Sequence, residues 1–270
     1  MNRLVPAVLL LIVLAGCGGN PMDPTATTTT EPVTYPAGLS ESGIRDAYEL
    51  AGIHRAVLDG QSFHQERHTK IVRVDDGTML VNQSIRGTWE ANRSWFGIHY
   101  QLDIGPSGIY GARNGSISYY ANGSIVALHQ EVPAEDYETS RVAMGQNGAP
   151  IPPEAFGTPL FGTPAGNRLV ASRYQSLEAV SVTSTETGLR IEADSANTSQ
   201  IEFGNLPVEN VSEVSFVANL TAEGLVKSYD LEVTGDLNGT RVTARETVTF
   251  SEIGSANVTE PPWFQSAVDS

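Results

Sequence analysis

The feature that most constrains this chain is a change of period at Gly60. Before it, apolar residues recur at helical spacing. After it, they alternate. In Trp95–Ile104, Phe96, Ile98, Tyr100, Leu102 and Ile104 fall on one side, with Gly97, His99, Gln101 and Asp103 on the other. That period of two is the mark of a half-buried β-strand. The same alternation predicts strands over 62–74, 78–90, 109–113, 116–121 and 124–132, and again over 180–185, 189–194, 200–203, 211–220, 225–235 and 240–250. Asp75-Asp76-Gly77, Asn114-Gly115, Asn122-Gly123 and Asn238-Gly239 supply hairpin turns. Two helices are expected. One runs from Ser40 as cap to Asp59, with Ile44, Ala47, Tyr48, Ala51 and Leu58 on one stripe and Gly60 as its stop. The other covers 167–178, with Leu169, Val170, Tyr174 and Leu177 facing inward.

These elements set a packing problem. Eleven or twelve strands at about 4.8 Å spacing would make a flat sheet about 50 Å wide. Two helices, each about 10 Å across, cannot cover its apolar face, and an open apolar face that size invites association. The expected fold is therefore mainly β (α+β): a curved antiparallel sheet of about 11 strands, a half-barrel, with one or two helices on the concave face. A two-sheet sandwich with a solid core is the alternative. Residues 133–167 interrupt the alternation with six prolines (Pro133, Pro150, Pro152, Pro153, Pro159 and Pro164). This insertion is expected to lie over the sheet as a lid, with Phe156, Leu160 and Phe161 as its apolar contacts.

The N-terminus indicates a compartment. Arg3 precedes an apolar run from Leu4 to Leu14, broken only by Pro6. About eleven residues would span roughly 16 Å as a helix, about half a bilayer core, which is signal-peptide length. The run ends in Leu14-Ala15-Gly16-Cys17, which resembles a bacterial or archaeal lipobox; Cys17 is the only cysteine. The resemblance implies a cleaved signal over 1–16, a lipid on the Cys17 thiol, and an extracytoplasmic protein anchored to the outer face of the cell membrane. Residues 17–37 are rich in Thr and Pro and read as a tether. A single domain over 38–264 follows. With no second cysteine, packing alone must hold the mature monomer together.

Charge and sequons agree with export. The chain has 16 Lys and Arg against 31 Asp and Glu, a net of −15. Its only lysines are Lys70 and Lys227. Such a surface disfavours nucleic acid and anionic headgroups as partners. It looks like the acidic, arginine-using bias of salt-loving archaeal proteins, in which salt screens self-repulsion. Asn82, Asn92, Asn114, Asn122, Asn197, Asn210, Asn219, Asn238 and Asn257 head N-x-S/T triplets and are candidate N-glycosylation sites. Chance would supply about two or three.

The lipobox, the tether, the segment Ala51-Gly52-Ile53-His54-Arg55 leading to Gly60 and Ser62-Phe63, and the closing Pro261-Pro262-Trp263 resemble haloarchaeal surface lipoproteins of unknown function. The order of elements is similar to the half-barrels of LolA/LolB-type lipoprotein carriers and LppX/LprG-type glycolipid-binding lipoproteins. That likeness implies a concave site for a lipid or other apolar small molecule, and transfers no site residue.

No local motif assembles a nucleophile, base and orienter, so a non-enzymatic protein without cofactor or metal is expected. His64-Gln65-Glu66-Arg67-His68 lacks zinc-protease spacing and reads as a solvated strand face. Glu131, Glu135, Asp136 and Glu138 lack calcium-loop spacing. His54 reads as a core or boundary residue. Trp89, Trp95, Tyr110, Tyr119 and Tyr120 read as core or rim aromatics. An apolar-ligand carrier is the first expectation, and a non-catalytic envelope structural or partner-binding module the second.

Overall fold

The computed structural model describes residues 34–105, 114–156 and 167–270. The first helix is shorter than expected. Leu39–Ser40 (β1) and Gly43–Ile44 (β2) pair as a small hairpin in which Ser40 Oγ donates to the Gly43 carbonyl. Gly43 has a φ of 122°, which no helix accepts. Helix α1 (Ala47–Leu58) is instead capped by Asp46, whose Oδ1 accepts from the backbone N–H of Tyr48 and Glu49 at 2.9 Å. Gly60, at φ 69°, lies just past its end.

Six strands follow: β3 (Phe63–Arg73), β4 (Met79–Trp89), β5 (Trp95–Ile104), β6 (Gly115–Asn122), β7 (Val126–Val132) and β8 (Tyr137–Val142). Two expectations need correction here. Gly115 does not belong to a hairpin turn; it pairs with Leu102, so β5 and β6 are direct neighbours. The strand expected over 109–113 lies outside the described residues. The Pro-rich insertion also yields a strand, β8, because none of its prolines falls within Tyr137–Val142. A 3₁₀ turn (Pro133–Glu135) joins β7 to β8, and a short helix α2 (Pro153–Phe156) comes next.

Helix α3 (Asn167–Gln175) ends before Leu177, which starts a two-residue strand. The remaining strands are β9 (Leu177–Glu178), β10 (Ser181–Thr185), β11 (Gly188–Ala193), β12 (Ser195–Ala196), β13 (Gln200–Phe203), β14 (Leu206–Leu220), β15 (Val226–Leu237) and β16 (Thr240–Ser251), and α4 (Phe264–Val268) closes the order. Asn238 and Gly239, at φ 50° and 77°, make the tight turn between β15 and β16.

One antiparallel sheet of twelve strands dominates, in the order β10-β11-β14-β15-β16-β3-β4-β5-β6-β7-β8. Strand β13 shares an edge of the long β14 with β11. The sheet is open, with β10 and β8 at its edges. It curls strongly. A Cβ placed on Gly204, after β13, would lie 3.7 Å from Gln83 Oε1 on β4, five strands away. Helices α1 and α3 pack together inside the curl. His54 of α1 meets Phe250 edge-on at 4.6 Å and accepts from the Val226 N–H, and Tyr174 of α3 meets Phe216. The half-barrel with two helices on its concave face is thus the observed architecture.

Candidate functional site

Strand register defines the concave face residue by residue. Directly opposed residues of antiparallel neighbours share a face. One row runs Val248, Arg67, Ile85, Tyr100, Ile117, Gln130 across β16 to β7. The next row along the strands runs Phe250, Gln65, Gly87, Ile98, Tyr119, Leu128. Ile85, Tyr100, Leu102, Ile117, Tyr119 and Leu128 are only half-buried. Gly87 is required: a Cβ there would lie 2.0 Å from the ring of Trp89, whose indole lies over it.

Of the expected lid residues, Phe156 is buried on this face. Its ring stacks on Phe96 at 6.1 Å and leans on Tyr119 at 5.0 Å. Leu160 and Phe161 lie outside the described residues. A cleft of about 440 Å³ opens along Tyr100, Leu102, Ile117, Gln130, Val132 and Tyr137. A second, of about 480 Å³, lies between α3 and β13 and is lined by Arg67, Ser172, Arg173, Thr198, Gln200 and Glu202 among others.

At the second cleft is a buried ionic cluster that sequence reasoning missed. Glu246 of β16 is fully buried. Its Oε2 accepts from Arg67 Nε at 2.7 Å, and its Oε1 from Arg173 Nε at 2.8 Å and from the Tyr229 hydroxyl at 2.7 Å. Burial alone would raise the Glu246 carboxyl, but Arg173 and Arg67 outweigh it and hold it down at about 2. Burial, reinforced by Glu246, pushes the Tyr229 hydroxyl well up. The only sequence signal is Glu246 at an inward position of an otherwise apolar strand, among Val242, Ala244, Val248 and Phe250.

The convex face carries four of the five histidines. His64, Glu66 and His68 share it as expected, and each histidine has a cross-strand partner: Thr88 at 3.0 Å for His64 and Asn82 at 2.6 Å for His68. Sequence reasoning did not single out the other two. His99 Nδ1 meets Ser118 Oγ at 2.9 Å, and His129 Nδ1 meets Ser140 Oγ at 2.8 Å. Burial, with Arg86 nearby, lowers His99. His129 Nε2 lies 3.1 Å from Glu131, and with Glu138 these ligand atoms fall within 4.8 Å of one another. Hydrogen bonds from His129 and Ser116 lower the Glu131 carboxyl. The C-terminal segment crosses this face: Phe264 packs edge-on against Tyr120, and Trp263 stacks on His129 at 5.4 Å. A shallow cleft of about 340 Å³ lies beneath residues Asn257–Trp263.

Cys17 lies outside the described residues, as does Tyr110. Trp89 and Tyr120 are buried, while Trp95 stands at the rim, 36% exposed. Among the sequons, Asn92, Asn114, Asn197, Asn210, Asn219, Asn238 and Asn257 are exposed, whereas Asn82 and Asn122 are half-buried. Asn82 is held on both sides, by His68 and by its own donation to Asp103. Among the described residues no helix is long and apolar enough to cross a membrane.

A family model matches residues 3–267, almost the whole chain. The chain belongs to DUF7537, a family of unknown function. No curated protein matches this DUF7537 chain. Among solved structures it is similar to a DUF1329 family protein from Desulfovibrio piger, at 10% identity and a TM-score of 0.28, over 82% of this chain and 97% of that one. It is also similar to a porin-like protein from Bacteroides uniformis, at 12% identity and a TM-score of 0.18, over 69% and 96%.

Proposed function

We propose that this protein is a non-enzymatic, extracytoplasmic binder of a lipid or other apolar molecule, anchored by a lipid on Cys17. The observation that carries this reading is the patch of half-buried apolar side chains Ile85, Tyr100, Leu102 and Ile117 at the 440 Å³ cleft. Apolar surface left in contact with water costs about 25 cal/mol per Å². An apolar ligand laid in the curl recovers that cost, and the cleft has the size of a small-molecule site. Phe156 stacked on Phe96 gives the insertion a contact at the same face, as a lid would have. Native mass spectrometry of the purified full-length protein is expected to release a bound apolar molecule. A chain that emerges empty and takes up no neutral apolar dye would leave the envelope partner-binding module as the better account.

Anchoring has a separate test. Cys17→Ser is expected to move the protein from the detergent phase to the medium or to leave it unprocessed. Equal partitioning of variant and wild type removes the anchor from the reading.

A further inference from the structure

The two concave clefts are joined by one row of strand partners. Arg67 lines the 480 Å³ cleft, Tyr100 and Ile117 line the 440 Å³ cleft, and Ile85 stands between them. Three strand steps, about 14 Å, separate Arg67 from Ile117. Along that line the surface changes from cationic to apolar.

The cationic end carries an unbalanced charge. Glu246 neutralises one guanidinium, but both Arg67 and Arg173 bear on it. Arg173 is 3% exposed, and its guanidinium lies over the Phe203 ring at 5.3 Å. Two guanidiniums also carry more N–H donors than one carboxylate can accept. Thr69, the strand partner of Glu246, is buried with its hydroxyl unpaired among the described residues. Glu202 is the one carboxylate among the residues lining this cleft. It is exposed, and no ion pair joins it to either arginine among the described residues. A buried excess of positive charge is costly unless an anion meets it. In a chain of net charge −15, a local cationic pocket rimmed by the neutral side chains of Ser172, Thr198 and Gln200 is a selective feature.

We infer that the ligand is an anionic amphiphile: its oxyanion, a carboxylate or phosphate, sits on Arg67 and Arg173 between α3 and β13. Its alkyl chain runs over Ile85, Tyr100 and Ile117. This rests on the reading of the curl as an apolar binding site, and adds the headgroup to it.

The test is displacement of the neutral dye N-phenyl-1-naphthylamine from the full-length protein by dodecanoate, dodecyl phosphate and dodecanol. The two anions are expected to displace it at concentrations about tenfold lower than the alcohol. Arg67→Gln, which leaves Glu246 paired with Arg173, is expected to erase that preference and spare dodecanol binding. Should Arg67→Gln fail to fold, Ser172→Asp adds a negative charge at an exposed position of the same cleft and is expected to weaken only the anions. Dodecanol competing as well as both anions in the wild type would overturn the headgroup site and leave the apolar reading standing. Displacement by none of the three would instead remove the apolar reading. Inorganic phosphate that raises the melting temperature through Arg67, with no anion preference in dye displacement, would reassign the pocket to a free anion and overturn the amphiphile.

Discussion

Strands β15 and β5 show the same alternation and reach different ends. On β15, Val226, Tyr229, Leu231, Val233 and Leu237 are all buried, beneath α1 and α3. On β5 only Phe96 and Ile98 are, and Tyr100, Leu102 and Ile104 stay half-buried. The difference is cover. Inside the curl the two helices lie against β14 to β16, where His54 reaches Phe250 and Tyr174 reaches Phe216. Over β4 to β7 the contact with Phe156 sits at the end of the strands where Phe96 and Trp89 are buried. One half of the sheet is therefore a core, and the other is a surface with the chemistry of a core.

The contrast can be broken hardest at the boundary between the halves. Glu246→Gln would leave two arginines around a neutral amide, and is expected to cost about 3–5 kcal/mol in denaturant unfolding. The same cluster sets an acid limit. The folded Glu246 carboxyl sits at about 2, below its ordinary 4.5, so its contribution is complete above pH 4.5 and is lost as pH falls towards 2. A melting temperature unchanged between pH 5 and pH 3 would show that the cluster does not support the fold.

Within the packed half, Leu231→Ala removes a fully buried side chain and is expected to cost about 2–5 kcal/mol. Gly87→Ala tests the covered end of the open half. Its methyl must displace the Trp89 ring, at about 1–3 kcal/mol and with a shift in tryptophan fluorescence. The smallest stability effect belongs to Leu102→Ala, about 1 kcal/mol, because its side chain is already half in water. Apolar dye binding should fall in that variant although the fold persists. A Leu102→Ala cost equal to that of Leu231→Ala would mean that the two halves are one continuous core.

Removing the insertion tests whether it acts as a lid. Deletion of Pro150–Pro164 is expected to leave the β circular-dichroism signal and raise dye binding, since Phe156 no longer rests on Phe96 and Tyr119. Unchanged binding with an intact fold would end the lid idea.

Much of the fold was legible by local rules. The period of two placed β5 at its observed bounds, and Asn238-Gly239 set the β15–β16 turn because both positions need positive φ. The misreadings were also local. Ser40 looked like a cap until Gly43 turned the chain, and Asn114-Gly115 looked like a hairpin although its glycine opens β6 and pairs with Leu102 of β5. The edge strand β8 was hidden because proline density was averaged over a segment that has none between Pro133 and Pro150.

Sequence by itself determined that strand is the main element of this chain, that one face of most strands is apolar, and that helix is too scarce to cover it. Alternation is a backbone property, set by where successive Cβ atoms point, and survives without knowledge of neighbours. Tertiary structure alone decided which apolar residues became core and which became basin, because that depends on where α1 and α3 come to rest. It also decided the charge of the basin. Arg67 and Glu246 lie 179 residues apart in sequence; the pairing of β16 with β3 makes them neighbours, and the seating of α3 adds Arg173.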